Sequence, residues 1–169
     1  MTTKQEARHT IAVLVDNEAG VLARVIGLFS GRGYNIESLT VAEVNPRNKL
    51  SRITIVTIGT PMIIEQIKAQ LRRLVPVRKV SDLTAEGPYV ERELALVKLK
   101  SIGEARREAL QIAGIFRARV VDSTHESFVF EIVGNPGKLD AFINLMEPVG
   151  LIDVSRTGIV AIARGSKPL

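Results

Sequence analysis

The sequence predicts an α+β protein made of two consecutive βαββαβ sandwiches. Three observations carry that reading. Runs of β-branched residues with period-two alternation recur along the chain, as at Ile11, Val13 and Val15. The stretches between them place apolar residues at helical spacing, as at Leu22, Val25, Ile26 and Phe29. The order strand, helix, strand, strand, helix, strand then occurs once before Glu86-Gly87-Pro88 and once after it. That tripeptide reads as a linker and gives domains at 1–84 and 85–169. The two halves share little sequence beyond this order, so the repeat is one of architecture and not of site.

In the first half, residues 9–15 form the opening strand. The run from Asp16 to Ser38 then reads as a tight turn, an amphipathic helix, a glycine-rich stop and the start of a strand. Asp16 or Asn17 is suited to cap the helix, and Gly31 and Gly33 to stop it. Residues 36–44 and 51–59 are strands joined by the polar loop Asn45-Pro46-Arg47-Asn48-Lys49. Thr60-Pro61 opens a second helix as N-cap and first helical residue, with Ile64, Ile67, Leu71 and Leu74 on its inner face. A strand over 75–83 closes the unit. In the second half, residues 92–100, 117–122, 127–133 and 150–156 are strands. Helices lie at 104–115 and after Asn135-Pro136, the latter with Leu139, Phe142, Ile143 and Met146 inward. Two helices on one face of each antiparallel sheet make a ferredoxin-like sandwich. In the usual strand order of that fold, 36–44 is an edge strand. Its centre, Leu39-Thr40-Val41-Ala42, carries no charge to repel a neighbour, which predicts a homodimer with a continuous sheet.

Composition narrows the function. There is no cysteine among the 169 residues, which excludes disulfides, zinc-thiolate sites and thiol catalysis. Aromatics make up only 4%, so stacking platforms for bases are scarce. The net charge of +5 fits nucleic acid, a solvated surface or a docking face for an acidic protein. The opening MTTKQEARHT has no apolar signal core, and no run is long enough to span a bilayer, so a cytoplasmic protein without membrane partners is expected. Two histidines, His9 and His125, lie far apart in sequence, and no triad, nucleophile elbow or metal-ligand spacing accompanies them. The G-x-G at Gly31–Gly33 follows a helix instead of opening one, unlike a dinucleotide loop. No catalytic residue, no metal site and no cofactor on this chain are expected.

A binding site is easier to build. Asn17, Gly20 and Val21 lie at the helix entrance, where free N–H groups and the positive end of the helix dipole attract anions. Asn35 precedes the edge strand and carries both a donor and an acceptor, with Ile36 as apolar wall. In the expected dimer, Asn35 of one copy approaches the helix entrance of the other. An amino acid needs this combination of carboxylate donors, ammonium acceptor and apolar wall. Spacing alone leaves bland readings equally open: Gly20 easing a turn, and Asn35 taking a left-handed turn conformation.

The stretch Asn17–Val41, N-E-A-G-V-L-A-R-V-I-G-L-F-S-G-R-G-Y-N-I-E-S-L-T-V, resembles the regulatory (small) subunits of acetohydroxyacid synthase, also called acetolactate synthase. So do S-R-I-T-I at Ser51–Ile55, L-V-P-V-R-K-V-S-D-L at Leu74–Leu83, V-E-R-E-L-A-L-V-K at Val90–Lys98, G-K-L-D-A-F at Gly137–Phe142 and R-T-G-I-V at Arg156–Val160. The resemblance implies that the first unit is an ACT domain, a small-molecule-sensing version of the sandwich. It implies a chain that binds and activates the catalytic large subunit and confers feedback inhibition by valine in branched-chain amino acid synthesis. Thiamine diphosphate, FAD and magnesium belong, on this resemblance, to the catalytic partner. The family's effector positions match as Asn17, Gly20 and Asn35, with Val21 and Ile36 supplying backbone groups. The competing reading is the amino-acid-sensing ACT-type module of a transcriptional regulator, favoured by the positive charge. No helix-turn-helix, zinc-finger or basic-helix pattern accompanies the sensing unit.

Overall fold

The computed structural model describes residues 5–169. Contacts divide the chain into two units, one of the described residues up to Val90 with Ile159–Leu169, the other of Glu91–Gly158. The first contains β1 (Ala7–Asp16), α1 (Val21–Gly31), β2 (Ser38–Asn45), β3 (Leu50–Gly59), α2 (Pro61–Arg72), β4 (Val77–Asp82) and the short α3 (Leu83–Glu86). Its antiparallel sheet has the order β2-β3-β1-β4, so β2 lies at an edge. The pairing of β1 with β3 runs from Ala7 opposite Gly59 to Asp16 opposite Leu50.

Alternation along the strands sends Ile11, Val13, Ile53 and Ile55 to one face. There they meet Val25 and Phe29 of α1 and Ile64, Ile67 and Leu71 of α2. The fully buried row of α1 is Val21, Val25 and Phe29, with Leu22 only packed at its margin. The expected face of Leu22, Val25, Ile26 and Phe29 is thus met at Val25 and Phe29, while Val21 is buried and Leu22 and Ile26 are only half-buried. Gly33, at φ +69°, ends α1. The Tyr34 N–H donates to the Phe29 carbonyl at 3.0 Å and the Gly33 N–H to that of Ser30 at 3.3 Å. That is the paired closure a left-handed residue allows after a helix. Thr60 caps α2 by accepting from the Ile63 N–H, with Pro61 first in the helix.

The other face of this sheet is covered too. Simple alternation predicts solvent there, yet Thr10, Ala12, Thr54 and Val56 are buried. The cover is the C-terminal segment, which contains β9 (Val160–Ala163). Ala12, Leu83 and Ala161 form a small apolar cluster with Tyr89 and Leu169. The sequence reading places 159–169 in the second domain, whereas its contacts group it with the first. The physical reason is non-local: Ala161 and Leu169 find apolar partners on this face, and the segment's backbone finds polar ones.

The second unit holds the body of β5 (Tyr89–Lys100), α4 (Gly103–Phe116), β6 (Arg119–Ser123), β7 (Ser127–Gly134), α5 (Pro136–Met146) and β8 (Leu151–Arg156). These strands lie in the order β6-β7-β5-β8. Val97, Leu99, Phe130 and Ile132 pack against Ala109 and Ala113 of α4 and Leu139, Phe142 and Met146 of α5. Phe130 and Phe142 meet edge to face, with centroids 6.2 Å apart. Asn135 caps α5, accepting from the Lys138 N–H at 2.8 Å. Two antiparallel sheets, each backed by two long helices, make this an α+β protein of two ferredoxin-like units. Among the described residues no helix is long and apolar enough to cross a membrane.

Candidate functional site

The turn between β1 and α1 is pinned from both sides. The Asp16 N–H donates to the Pro76 carbonyl at 2.8 Å, and the Asn17 N–H to the Lys49 carbonyl at 2.7 Å. Gly20 follows with φ +81° and is itself the N-cap, without any side-chain cap. This corrects the expected cap at Asp16 or Asn17. The Asp16 carboxylate instead accepts from Arg78 Nε at 2.8 Å, which holds the guanidinium above its usual pKa. The Asn17 side chain donates to Glu43 of β2 at 3.2 Å.

The uncapped entrance has a chemical consequence. The Val21 N–H reaches the Glu18 carbonyl at a long 3.4 Å, and the Arg24 N–H uses the Gly20 carbonyl at 3.1 Å. Among the described residues, no protein acceptor meets the N–H groups of Leu22 and Ala23. A side chain added at Gly20 would meet nothing within 4 Å. The approach to these donors is open, and it coincides with the positive end of the α1 dipole.

Asn35 and Ile36 lie elsewhere on the same unit. The Asn35 carbonyl accepts from Thr57 Oγ1 at 2.5 Å, and the Glu37 N–H donates to the Val56 carbonyl at 2.8 Å. The Asn35 side chain is exposed, and Ile36 packs against the first core. Ser38 is opposite Val56 while Asn45 is opposite Leu50, the residue that also faces Asp16. Asn35 therefore sits at one end of the β2–β3 hairpin and Asn17, Gly20 and Val21 at the other. At about 3.3 Å per strand residue, the two groups are about 20 Å apart. One chain brings Asn17, Gly20 and Val21 together and leaves Asn35 and Ile36 away from them.

Residues 11–79 match the family described as "AHAS small subunit-like ACT domain", and residues 92–165 that described as "Small subunit of acetolactate synthase". The chain is 49% identical over 160 residues to the probable acetolactate synthase small subunit of Archaeoglobus fulgidus, covering 95% of this chain and 99% of that one. The chain belongs to the acetolactate synthase small-subunit family. It is 46% identical to the isozyme 3 small subunit of Escherichia coli over 95% of this chain and 98% of that protein. The crystal structure of the Thermotoga maritima small subunit matches with a TM-score of 0.86 at 39% identity, covering 95% of this chain and 99% of that one.

His9 Nδ1 pairs with the buried Asp82 carboxylate at 2.8 Å, and among the described residues no three His, Asp or Glu side chains gather to hold a metal. Glu43, which the sequence reading does not single out, is the carboxylate that the fold brings to Asn17. Its signal is the hairpin register: counting back from the Asn45–Lys49 loop puts Glu43 opposite Ser51, beside the end of β1.

Proposed function

We propose that this chain is the valine-sensing regulatory subunit of an acetolactate synthase. It binds and activates the catalytic large subunit in the cytoplasm and carries feedback inhibition to it. Thiamine diphosphate, FAD and magnesium reside on that partner. The observation that carries the reading is the open turn at Gly20, with two unmet N–H groups at a helix N-terminus. A valine carboxylate fits there; the carboxylates of Asp16, Glu18 and Glu43 at this end already meet Arg78, Arg24 and Asn17, so the ammonium group calls for a further acceptor.

Asn35 supplies that acceptor if a second copy pairs along β2. Two β2 strands related by a two-fold axis run antiparallel, so the Ser38 end of one lies beside the Asn45 end of the other. Asn35 of the second copy then comes to the Gly20 entrance, and the 20 Å gap within one chain is closed between two. A dissociation constant near 10–100 μM needs roughly 5.5–7 kcal/mol. A ligand of about eight heavy atoms supplies that below the ~1.5 kcal/mol-per-atom ceiling. Because its contacts exist only in the paired arrangement, valine biases how subunits sit, and a coupling of ~1–3 kcal/mol suffices for regulation.

The reconstituted complex tests the reading: activity with the large subunit is expected to rise on adding this chain and to fall on adding valine. No change on either addition overturns it. Asn35→Ala removes the ammonium's partner and is expected to weaken valine binding by ~1–3 kcal/mol in calorimetry, with the fold intact. Val41, on the free edge strand and 42% exposed, tests the pairing. Val41→Lys places like charges near the two-fold axis and is expected to weaken dimerisation roughly fivefold in a sedimentation dilution series. An unshifted profile counts against pairing through β2.

A further inference from the structure

The face of the first sheet turned away from α1 and α2 holds a second, differently built feature. Arg52, Lys79 and Ser81 lie on this face because they alternate with Ile53 and Val80 of the core. The C-terminal segment crosses it on four hydrogen bonds. The Ile159 N–H donates to Ser38 Oγ at 2.8 Å, and the Ile159 carbonyl accepts from Thr40 Oγ1 at 3.0 Å. The Ala161 carbonyl accepts from Arg52 Nη2 at 2.7 Å, and that of Pro168 from Lys79 Nζ at 3.4 Å. Between this segment, the sheet and α3 remains a cleft of ≈ 570 Å³, within the ~300–1,000 Å³ range of small-molecule sites.

The charges lining the cleft do not balance. Arg52, Lys79, Arg164 and Lys167 line it, against the single side-chain carboxylate of Glu86. That carboxylate is already engaged: it accepts from the Ser81 hydroxyl and, at 3.0 Å, from the Asp82 N–H. None of the four cations is ion-paired among the described residues. Arg52 is half-buried, and desolvation alone lowers its pKa, whereas Asp16 raises that of Arg78 and Glu93 that of Arg156. Four like charges around a partly desolvated cleft repel one another until an anion arrives. Guanidinium forks and ammonium groups meet oxyanions in short, charge-assisted hydrogen bonds.

We propose that this cleft binds a small oxyanion carrying two or more negative charges, with Arg52 as its anchor and Lys79, Arg164 and Lys167 closing around it. Arg52 and Lys79 stand on the sheet while Arg164 and Lys167 stand on the segment, so the ligand ties the segment down. Nothing in this proposal depends on valine or on the Gly20 turn. Phosphorylated and polycarboxylate compounds share the required chemistry, and the probes separate them.

The test is calorimetry on the full chain with pyrophosphate in one arm and citrate in the other, each against KCl at equal ionic strength. Saturable binding in either arm is expected, and the tighter arm names the source. Arg52→Gln should weaken it roughly tenfold. Because Arg52 also holds Ala161, a second variant, Arg164→Gln with Lys167→Gln, removes only exposed charges and should also weaken it roughly tenfold. Valine affinity should be unchanged in both. No saturable signal above the KCl control in either arm, or undiminished affinity in the Arg164/Lys167 double variant, overturns the proposal.

Discussion

Replacing Gly20 by aspartate is expected to abolish valine inhibition of the reconstituted enzyme while activation by this chain survives. The backbone at Gly20 stands at φ +81°, so any side chain there is strained, by about 1 kcal/mol for an L-residue. No steric clash adds to that, since a Cβ would meet nothing within 4 Å. The unit therefore still folds. Its new carboxylate lies over the N–H groups of Leu22 and Ala23 and takes the place assigned to the effector's carboxylate. Two carboxylates about 4 Å apart repel by about 1 kcal/mol in bulk water and about 4 kcal/mol at the effective dielectric near a protein surface. Valine affinity should fall by roughly fivefold to nearly a thousandfold, before direct occlusion is counted. Gly20→Asn is the control. It carries the same backbone strain without the charge, and asparagine tolerates the left-handed region. The Asn variant should keep most of its valine response. Equal losses in the two variants would assign the effect to strain or to side-chain capping of the same N–H groups and not to charge, and undiminished inhibition in the aspartate variant would remove Gly20 from the site.

The contrast between Gly20 and Gly33 shows what the sequence discloses and what it hides. Both glycines have positive φ, and both flank the same helix. Gly33 is legible because a glycine after an apolar helical run has one common use, which the Tyr34–Phe29 closure fulfils. Gly20 is not, because Asp16 and Asn17 are better capping residues by type, and only the third dimension commits them to Arg78 and Glu43. The alternation of β1 and β3 located the core on the helix side. It said nothing of the opposite face, where buried Thr10 and Thr54 look like solvent-facing residues until α3 and the distant C-terminal segment cover that face. The five candidate site residues were found by type and resemblance. Their division into two groups at opposite ends of the β2–β3 hairpin follows from strand register, which the loop length Asn45–Lys49 encodes but composition does not.

Arg156→Met is expected to cost the second unit about 3 kcal/mol, more than any surface ion pair would suggest. Arg156 donates from Nε and Nη2 to the two oxygens of Glu93, both at 2.8 Å, and from Nη1 to Asp140 at 2.7 Å. It thus joins β8, β5 and α5. The Glu93 side chain is only 5% exposed, while Arg156 is 33% and Asp140 57% exposed. Removing the guanidinium leaves a largely buried carboxylate that, among the described residues, no other cation meets. Breaking such a pair from one side costs ~3–5 kcal/mol, and the partial exposure of Arg156 places this case at the lower end. Asp140→Ala should cost no more than ~1 kcal/mol, because its carboxylate is solvated either way. The double variant Arg156→Met with Glu93→Met removes both charges and should recover most of the loss. Urea denaturation of the full chain followed by circular dichroism separates these outcomes. A single Arg156→Met variant within ~1 kcal/mol of the parent would mean that Glu93 reaches solvent on its own, and that the three elements are held by their apolar contacts alone.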